Sequence, residues 1–252
     1  MFESILNDGI SGSSLLLEKT LRWLDSLLVS GQALPEGALA RMTEVHSGMA
    51  CFQHIHRYFK ENALSETSLD ELRQRIKLEE RIMLESFRSC FPGSISHVAV
   101  YSYSGMVKKA LSILNRPLEV EVALCSPEGE GRAMAEALAD VPGITPRLWT
   151  DGAYFSRVLE VEAVVMGCDA ISPGFLVNRS GTRGLIRLAA AADIPVFVAE
   201  GPLKTLSDNE LIQMPLKRGG NAPGGYDAAG LKWENPMLEV IGTEGIRIAC
   251  LA

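Results

Sequence analysis

Val161-Glu162-Ala163-Val164-Val165-Met166-Gly167-Cys168-Asp169-Ala170 is the stretch on which the fold turns. Ala163 to Met166 is a short, uninterrupted apolar run, the signature of a strand buried on both faces, and it ends abruptly in Gly167-Cys168-Asp169. Reading outward, runs of the same kind recur at Val98–Tyr101, Val120–Leu124, Ile144–Trp149 and Pro195–Ala199. Helical segments separate them at Met106–Leu114, Arg132–Ala139, Ala153–Leu159 and Thr182–Ala192. Strand, helix, strand at this spacing predicts right-handed crossovers and a doubly wound α/β sheet covered on both faces.

Before about Pro92 the pattern is helical. Leu15, Leu16, Leu21, Trp23, Leu24, Leu27 and Leu28 fill one apolar face after Gly12-Ser13-Ser14, and a second helix follows Pro35. A third is expected to open at Ser68-Leu69-Asp70-Glu71, with Glu71 reaching back to the serine and Ile76, Ile82, Met83 and Phe87 recurring at helical spacing. The expected organisation is a helical amino-terminal domain over residues 1–95 and a sheet domain over 96–252. Lys217 to Gly225, rich in glycine, reads as a surface loop.

The chain of 252 residues is 47% hydrophobic and 22% charged, which excludes a disordered chain. With 31 acidic and 24 basic side chains its net charge is -7, so nucleic acid is a poor partner. No segment approaches the roughly 20 apolar residues of a membrane span, and the amino terminus lacks the features of a signal peptide, so a soluble cytoplasmic protein is expected. The five cysteines, Cys51, Cys90, Cys125, Cys168 and Cys250, form no CxxC pair and read as reduced, mostly buried thiols. His46, His54 and His56 read as surface or interface residues, and no metal site is expected.

In an open parallel sheet, ligands bind beyond the carboxyl ends of the strands, so the residues just after each run carry the chemistry. These are Ser102-Tyr103-Ser104-Gly105, the segment Cys125 to Arg132, Thr150-Asp151-Gly152, Gly167-Cys168-Asp169 with the loop to Asn178-Arg179-Ser180-Gly181-Thr182, and Glu200 to Lys204. Ser102 to Gly105 could hold a phosphate at a helix start, but taken alone it reads better as a simple serine cap, which is common at helix starts. Asp169 stands out because a carboxylate at the end of an apolar strand is costly to desolvate unless a partner or a reaction needs it; the bland alternative is an aspartate bonding loop amides. Asn178 and Arg179 offer an amide and a cation beside another helix start. Cys168 reads as packing, and Cys125 as the more accessible thiol. Gly129-Glu130-Gly131 is half of a dinucleotide fingerprint, but the third glycine falls at Met134, so no dinucleotide cofactor is expected.

The order of these segments resembles the superfamily shared by the alpha, beta and delta subunits of translation initiation factor 2B, methylthioribose-1-phosphate isomerase and ribose-1,5-bisphosphate isomerase. The resemblance is carried by Tyr101-Ser102-Tyr103-Ser104, Glu130-Gly131-Arg132, Val161 to Ala170, Asn178 to Thr182, Ile194 to Val198 and Glu234-Asn235-Pro236. It implies a Rossmann-like carboxy-terminal domain, through which the protein forms homodimers or pairs with related subunits. It also implies a phosphorylated small molecule bound by Tyr103, Ser104, Gly105, Arg132, Asp151, Asn178, Arg179 and Lys204, with no cofactor.

In the isomerases a cysteine after the first strand and an aspartate after the fourth form the catalytic pair. Those positions correspond here to Ser102 and Asp169. A free cysteine has pKa ~8.5, whereas a serine hydroxyl needs an adjacent base, and the sequence shows none. The second-strand loop carries Ser126 before Pro127 where the family has arginine, Arg179 replaces a lysine, and the isomerases' amino-terminal arginine-glycine loop is not recognisable. The resemblance therefore implies a sugar-phosphate or nucleotide binder with a regulatory or assembly role. The alternative is an aldose-1-phosphate to ketose-1-phosphate isomerase using Asp169 with Ser102 or an unplaced cysteine.

Overall fold

The computed structural model describes residues 1–9, 11–216 and 234–243. Five helices come first: α1 (Phe2–Leu6), α2 (Ser13–Val29), α3 (Ala38–Val45), α4 (Ala50–Glu61) and α5 (Glu66–Cys90). Leu16, Leu24, Met42, Phe52, Ile55, Leu69 and Leu72 form their shared core. The sequence predicts three helices; the extra two are short or follow directly on a neighbour, where periodicity has few turns in which to show. α5 also begins earlier than expected. Ser65 Oγ accepts from Ser68 N at 3.1 Å and Ser68 Oγ from Ser65 N at 3.0 Å, so two serines, not Ser68 and Glu71, make the capping box. Further along, α5 supplies Met83 and Phe87 to the core of the sheet, so one helix packs in both regions.

Beyond α5 the chain runs through β1 (His97–Val100), α6 (Gly105–Ser112), β2 (Leu118–Ala123), α7 (Glu130–Ala139), β3 (Ile144–Trp149) and α8 (Asp151–Arg157). There follow β4 (Ala163–Met166), β5 (Ala170–Ile171), β6 (Phe175–Arg179), α9 (Thr182–Ala191), β7 (Val196–Val198), α10 (Asp208–Ile212) and β8 (Leu238–Gly242). The main sheet has the order β3-β2-β1-β4-β7 with every pair parallel. Val98, Val100, Val120, Val122 and Val165 pack under α5, α6 and α7. Ala99, Ala123, Val164, Met166, Val196 and Val198 face α8 and α9. The doubly wound α/β sheet expected from the sequence is thus present.

A second, antiparallel sheet of order β5-β6-β8 was not expected. It pairs Val177 with Val240 and Arg179 with Leu238, which turns a predicted loop before Asn178 into strand. Lys217 to Gly225 lies outside the described residues. Among the described residues no helix is long and apolar enough to cross a membrane, and no cluster of His, Cys, Asp and Glu could hold a metal ion.

Two expectations about single residues need correction. His46 is buried, stacked on Phe52 with ring centroids 4.9 Å apart, and its Nε2 lies 2.8 Å from Ile5 O. Its burial, its ring contact with Phe52 and its bond to the backbone make it a core residue. Cys51, Cys125 and Cys168 are free and buried, but Cys90, at the end of α5, is disulfide-bonded.

Candidate functional site

The chain leaves β1 for β2 on one side and returns to β4 on the other, so the strand order reverses between β1 and β4. A cavity of about 350 Å³ opens beyond the carboxyl ends of these two strands. Ser102, Tyr103, Ser104, Gly105, Asp169, Asn178, Arg179 and Lys204 all line it, so eight of the ten residues singled out from the sequence come together.

The other two do not. Arg132 lies on the outer face of α7, where its Nε bonds Glu136 at 2.9 Å. One turn into a helix whose first turn lies against the sheet, its side chain points to solvent. Asp151 accepts from the amides of Cys125 and Ser126, both at 2.8 Å, and so fixes the loop after β2 from outside the cavity.

Ser102 follows β1 with φ 67°, a left-handed conformation that a serine rarely adopts. Ser104 then caps α6, accepting from Val107 N at 3.3 Å. Gly167 lies against that cap: a Cβ there would come within 2.5 Å of Ser104 Oγ. Asp169 is held by its backbone, with its amide on Val177 O at 2.7 Å and its carbonyl receiving Ala50 N at 3.0 Å. Its carboxylate makes no hydrogen bond or ion pair with a described residue. Lys204 is 3% exposed, and its Nζ donates to Cys168 O at 2.5 Å.

Sequence reasoning missed two contributors. Gly12, Ser13 and Ser14 begin α2 in the cavity wall, with no side-chain cap at that helix start. A Cβ on Gly12 would lie 3.4 Å from Tyr103 O and one on Gly105 3.8 Å from Ser14 Cβ, so the amino ends of α2 and α6 meet. The second is Glu130, the first residue of α7. Its Oε1 accepts from Ser102 Oγ at 3.3 Å and pairs with Arg179 Nε at 2.7 Å, while its buried Oε2 has no partner. A carboxyl group that the sequence did not show beside Ser102 is therefore present. Burial pushes the Glu130 carboxyl above its ordinary range, and Arg179 opposes that shift. Its position in the first turn after β2, within Glu130-Gly131-Arg132, was the available signal.

Arg179 is less available than expected. Besides Glu130 it meets Glu128, with Nη2 2.6 Å from Oε2, and its Nη1 lies 2.6 Å from the Met237 sulfur. Asn178 Nδ2 donates to Thr182 Oγ1 at 3.1 Å, and Thr182 Oγ1 donates to Arg179 O at 2.6 Å, so Asn178 also organises the start of α9. The thiols are withdrawn from chemistry. Burial pushes Cys168 and Cys51 up to about 12 and raises Cys125 further. Cys125, expected to be the more accessible, is 1% exposed because its side chain turns into the core beneath α8.

An open parallel sheet with a cavity at its switch point, walled by two helix starts, defines a doubly wound α/β protein. The model of the Initiation factor 2 subunit family matches residues 42–214, and the chain belongs to that family. Among solved structures it is similar to translation initiation factor eIF-2B of Pyrococcus horikoshii OT3, at 19% identity and TM-score 0.77 over 98% of this chain and 92% of that one. It is similar to eIF-2B subunit delta of A. fulgidus, at 15% identity and TM-score 0.68 over 97% of this chain and 83% of that one. It is also similar to 5-methylthioribose 1-phosphate isomerase of P. horikoshii OT3, at 14% identity and TM-score 0.64 over 97% of this chain and 80% of that one. At these identities the likeness is one of fold. No curated protein matches the chain.

Proposed function

We propose that the chain binds a phosphorylated sugar or nucleotide in the switch-point cavity and acts as a regulatory or assembly protein rather than as a catalyst. The observation that carries this reading is a cavity with anion donors but no ionisable thiol. The starts of α2 and α6 and the Lys204 ammonium supply the donors, while Ser102 occupies the end of β1 and every free thiol among the described residues is buried. The phosphate would sit at the two helix starts with Lys204, and the sugar hydroxyls would face Asp169 and the free oxygen of Glu130. A cytoplasmic setting, a boundary near residue 95, and homodimers or pairing with related subunits through the sheet domain belong to the same reading. The crystallised neighbours include a tetrameric eIF2B-beta2-delta2 complex from C. thermophilum, which supports assembly with related subunits.

The experiment is a thermal-shift series with ribose 1,5-bisphosphate, methylthioribose 1-phosphate, AMP and GMP, run beside an assay for ketose formation. A ligand at 100 times its Kd stabilises by about 2.7 kcal/mol, a clear rise in Tm. Stabilisation without turnover is expected, and no response to any phosphate ester would overturn the reading. The contact between Ser102 and Glu130, beside an Asp169 carboxylate with no hydrogen bond among the described residues, favours a second reading as an aldose-ketose isomerase. Ketose formation that disappears in Asp169→Asn would establish it in place of the first.

A further inference from the structure

Arg179 is the cation that sequence reasoning assigned to the ligand, yet each of its nitrogens already has a partner. Nε faces Glu130 at 2.7 Å, Nη2 faces Glu128 at 2.6 Å and Nη1 faces Met237 at 2.6 Å. Arginine recognises a phosphate best through two parallel N–H bonds, and the adjacent Nε and Nη2 are both engaged by carboxylates. The side chains of Arg179, Glu128 and Glu130 are only 7%, 7% and 8% exposed, so water screens their charges weakly. Two carboxyl groups thus share one guanidinium at the wall where an anion would arrive.

The two carboxylates are not equivalent. Glu130 lines the cavity and holds Ser102. Glu128 does neither: it lies behind Arg179, in the loop between β2 and α7, and its other partner is Asn235 Nδ2 at 2.9 Å.

We infer that Glu128 is an internal counter-ion that competes with the ligand's phosphate for Arg179 and so limits how tightly the cavity holds a dianion. This inference rests on the proposed binding of a phosphate ester in the cavity. Glu128 holds Arg179 Nη2 without lining the cavity, and Asn235, just ahead of β8, keeps it there. Binding with Arg179 engaged requires Glu128 to yield, and the carboxy-terminal segment feels that exchange through Asn235. The site therefore selects against highly charged anions more strongly than its lysine and helix starts would by themselves.

The test is isothermal titration of wild type and Glu128→Gln with ribose 5-phosphate, inorganic phosphate and, as a neutral control, ribose. Glutamine keeps the shape and one acceptor while removing the charge, and a cooperative melt shows that the variant is folded. Removing one unit charge from a poorly screened site should tighten both phosphate probes roughly tenfold and leave ribose unchanged. Unchanged or weaker phosphate binding by the folded variant would overturn the inference and leave the proposed function standing. An equal gain for ribose would also overturn it, since loosening of the loop rather than charge would then be responsible. If neither protein bound either phosphate, both readings would fall. Should Glu128→Gln not fold, Asn235→Ala, which frees Glu128 without altering its charge, is expected to tighten both phosphates several-fold, and no tightening would count against the inference.

Discussion

A Cβ placed on Gly131 would lie 1.6 Å from the carbonyl oxygen of Ala123, so the first turn of α7 rests directly on the end of β2. The same turn sends the Gly131 amide to Leu124 O at 3.1 Å and projects Glu130 toward Ser102. Both sides of the contact are backbone, so an added methyl group can be accommodated only by moving the helix. Gly131→Ala is therefore expected to cost about 3 kcal/mol in urea unfolding. Gly184→Ala, inside α9 with nothing within 4 Å of the added Cβ, should instead stabilise by about 0.5–1 kcal/mol. Equal effects at the two positions would mean that α7 does not sit this close to the sheet.

The state of the thiols can be read by alkylation. Cys125 and Cys168 are 1% and 3% exposed, and burial raises both pKa values, that of Cys168 to about 12. The reactive species is the thiolate, so at pH 8 neither should react with iodoacetamide in the native protein, and both should react once it is unfolded in urea. Peptide mass spectrometry of the alkylated chain distinguishes the outcomes. Rapid native labelling of Cys168, which lies between Gly167 and Asp169, would revive a role for a cysteine in isomerisation.

Glu210 joins two distant parts of the chain. Its carboxylate accepts from Ser207 N at 2.9 Å and Ser207 Oγ at 2.7 Å, completing the capping box of α10, and pairs with Arg57 on α4 at 2.6 Å. The Ser207 hydrogen bonds, then Arg57, bring its pKa down from 4.5 to about 2. A carboxyl whose folded pKa lies below its unfolded value stabilises the protein above the unfolded value, and that contribution fades as the pH falls from about 4.5 toward 2. Urea midpoints measured across that interval should therefore drop less steeply in Glu210→Gln than in wild type. Parallel curves would show that the pairing seen here adds nothing in solution.

The main sheet was legible because its strands are short blocks of Val, Ile and Ala, buried on both faces and separated by helices of ordinary length. β6 was not, since its hairpin with β5 joins only Ala170 to Val177 and Ile171 to Leu176, and its longer partner β8 begins at Leu238, far along the chain. The site shows the same division. Ser102, Asp169 and Lys204 follow apolar runs, so the rule that ligands gather at strand ends placed them from sequence alone. The partners of Arg179 could not be placed that way: Glu128 is 51 residues distant, and Glu130 is 28 residues from Ser102. Only the strand order brings them together, and strand order is a property of the whole fold. What was read as a free cation for an anionic ligand is in fact a neutralised one.

Ser102 offers a direct measure of how far the cavity departs from its most stable form. Its φ of 67° costs a residue with a side chain of the order of 1–3 kcal/mol, whereas glycine adopts it freely. Against that cost stands one hydrogen bond to Glu130, long at 3.3 Å and worth about 1 kcal/mol or less. Ser102→Gly is accordingly expected to unfold at a urea concentration equal to or above that of wild type while losing its thermal response to phosphate esters. Ser102→Val, with a branched Cβ in the same conformation, should lose about 2 kcal/mol. A glycine variant destabilised by more than about 1 kcal/mol would place the restraint in the bond to Glu130. A glycine variant as stable as wild type would instead mean that the serine is held in a strained conformation for what enters the cavity.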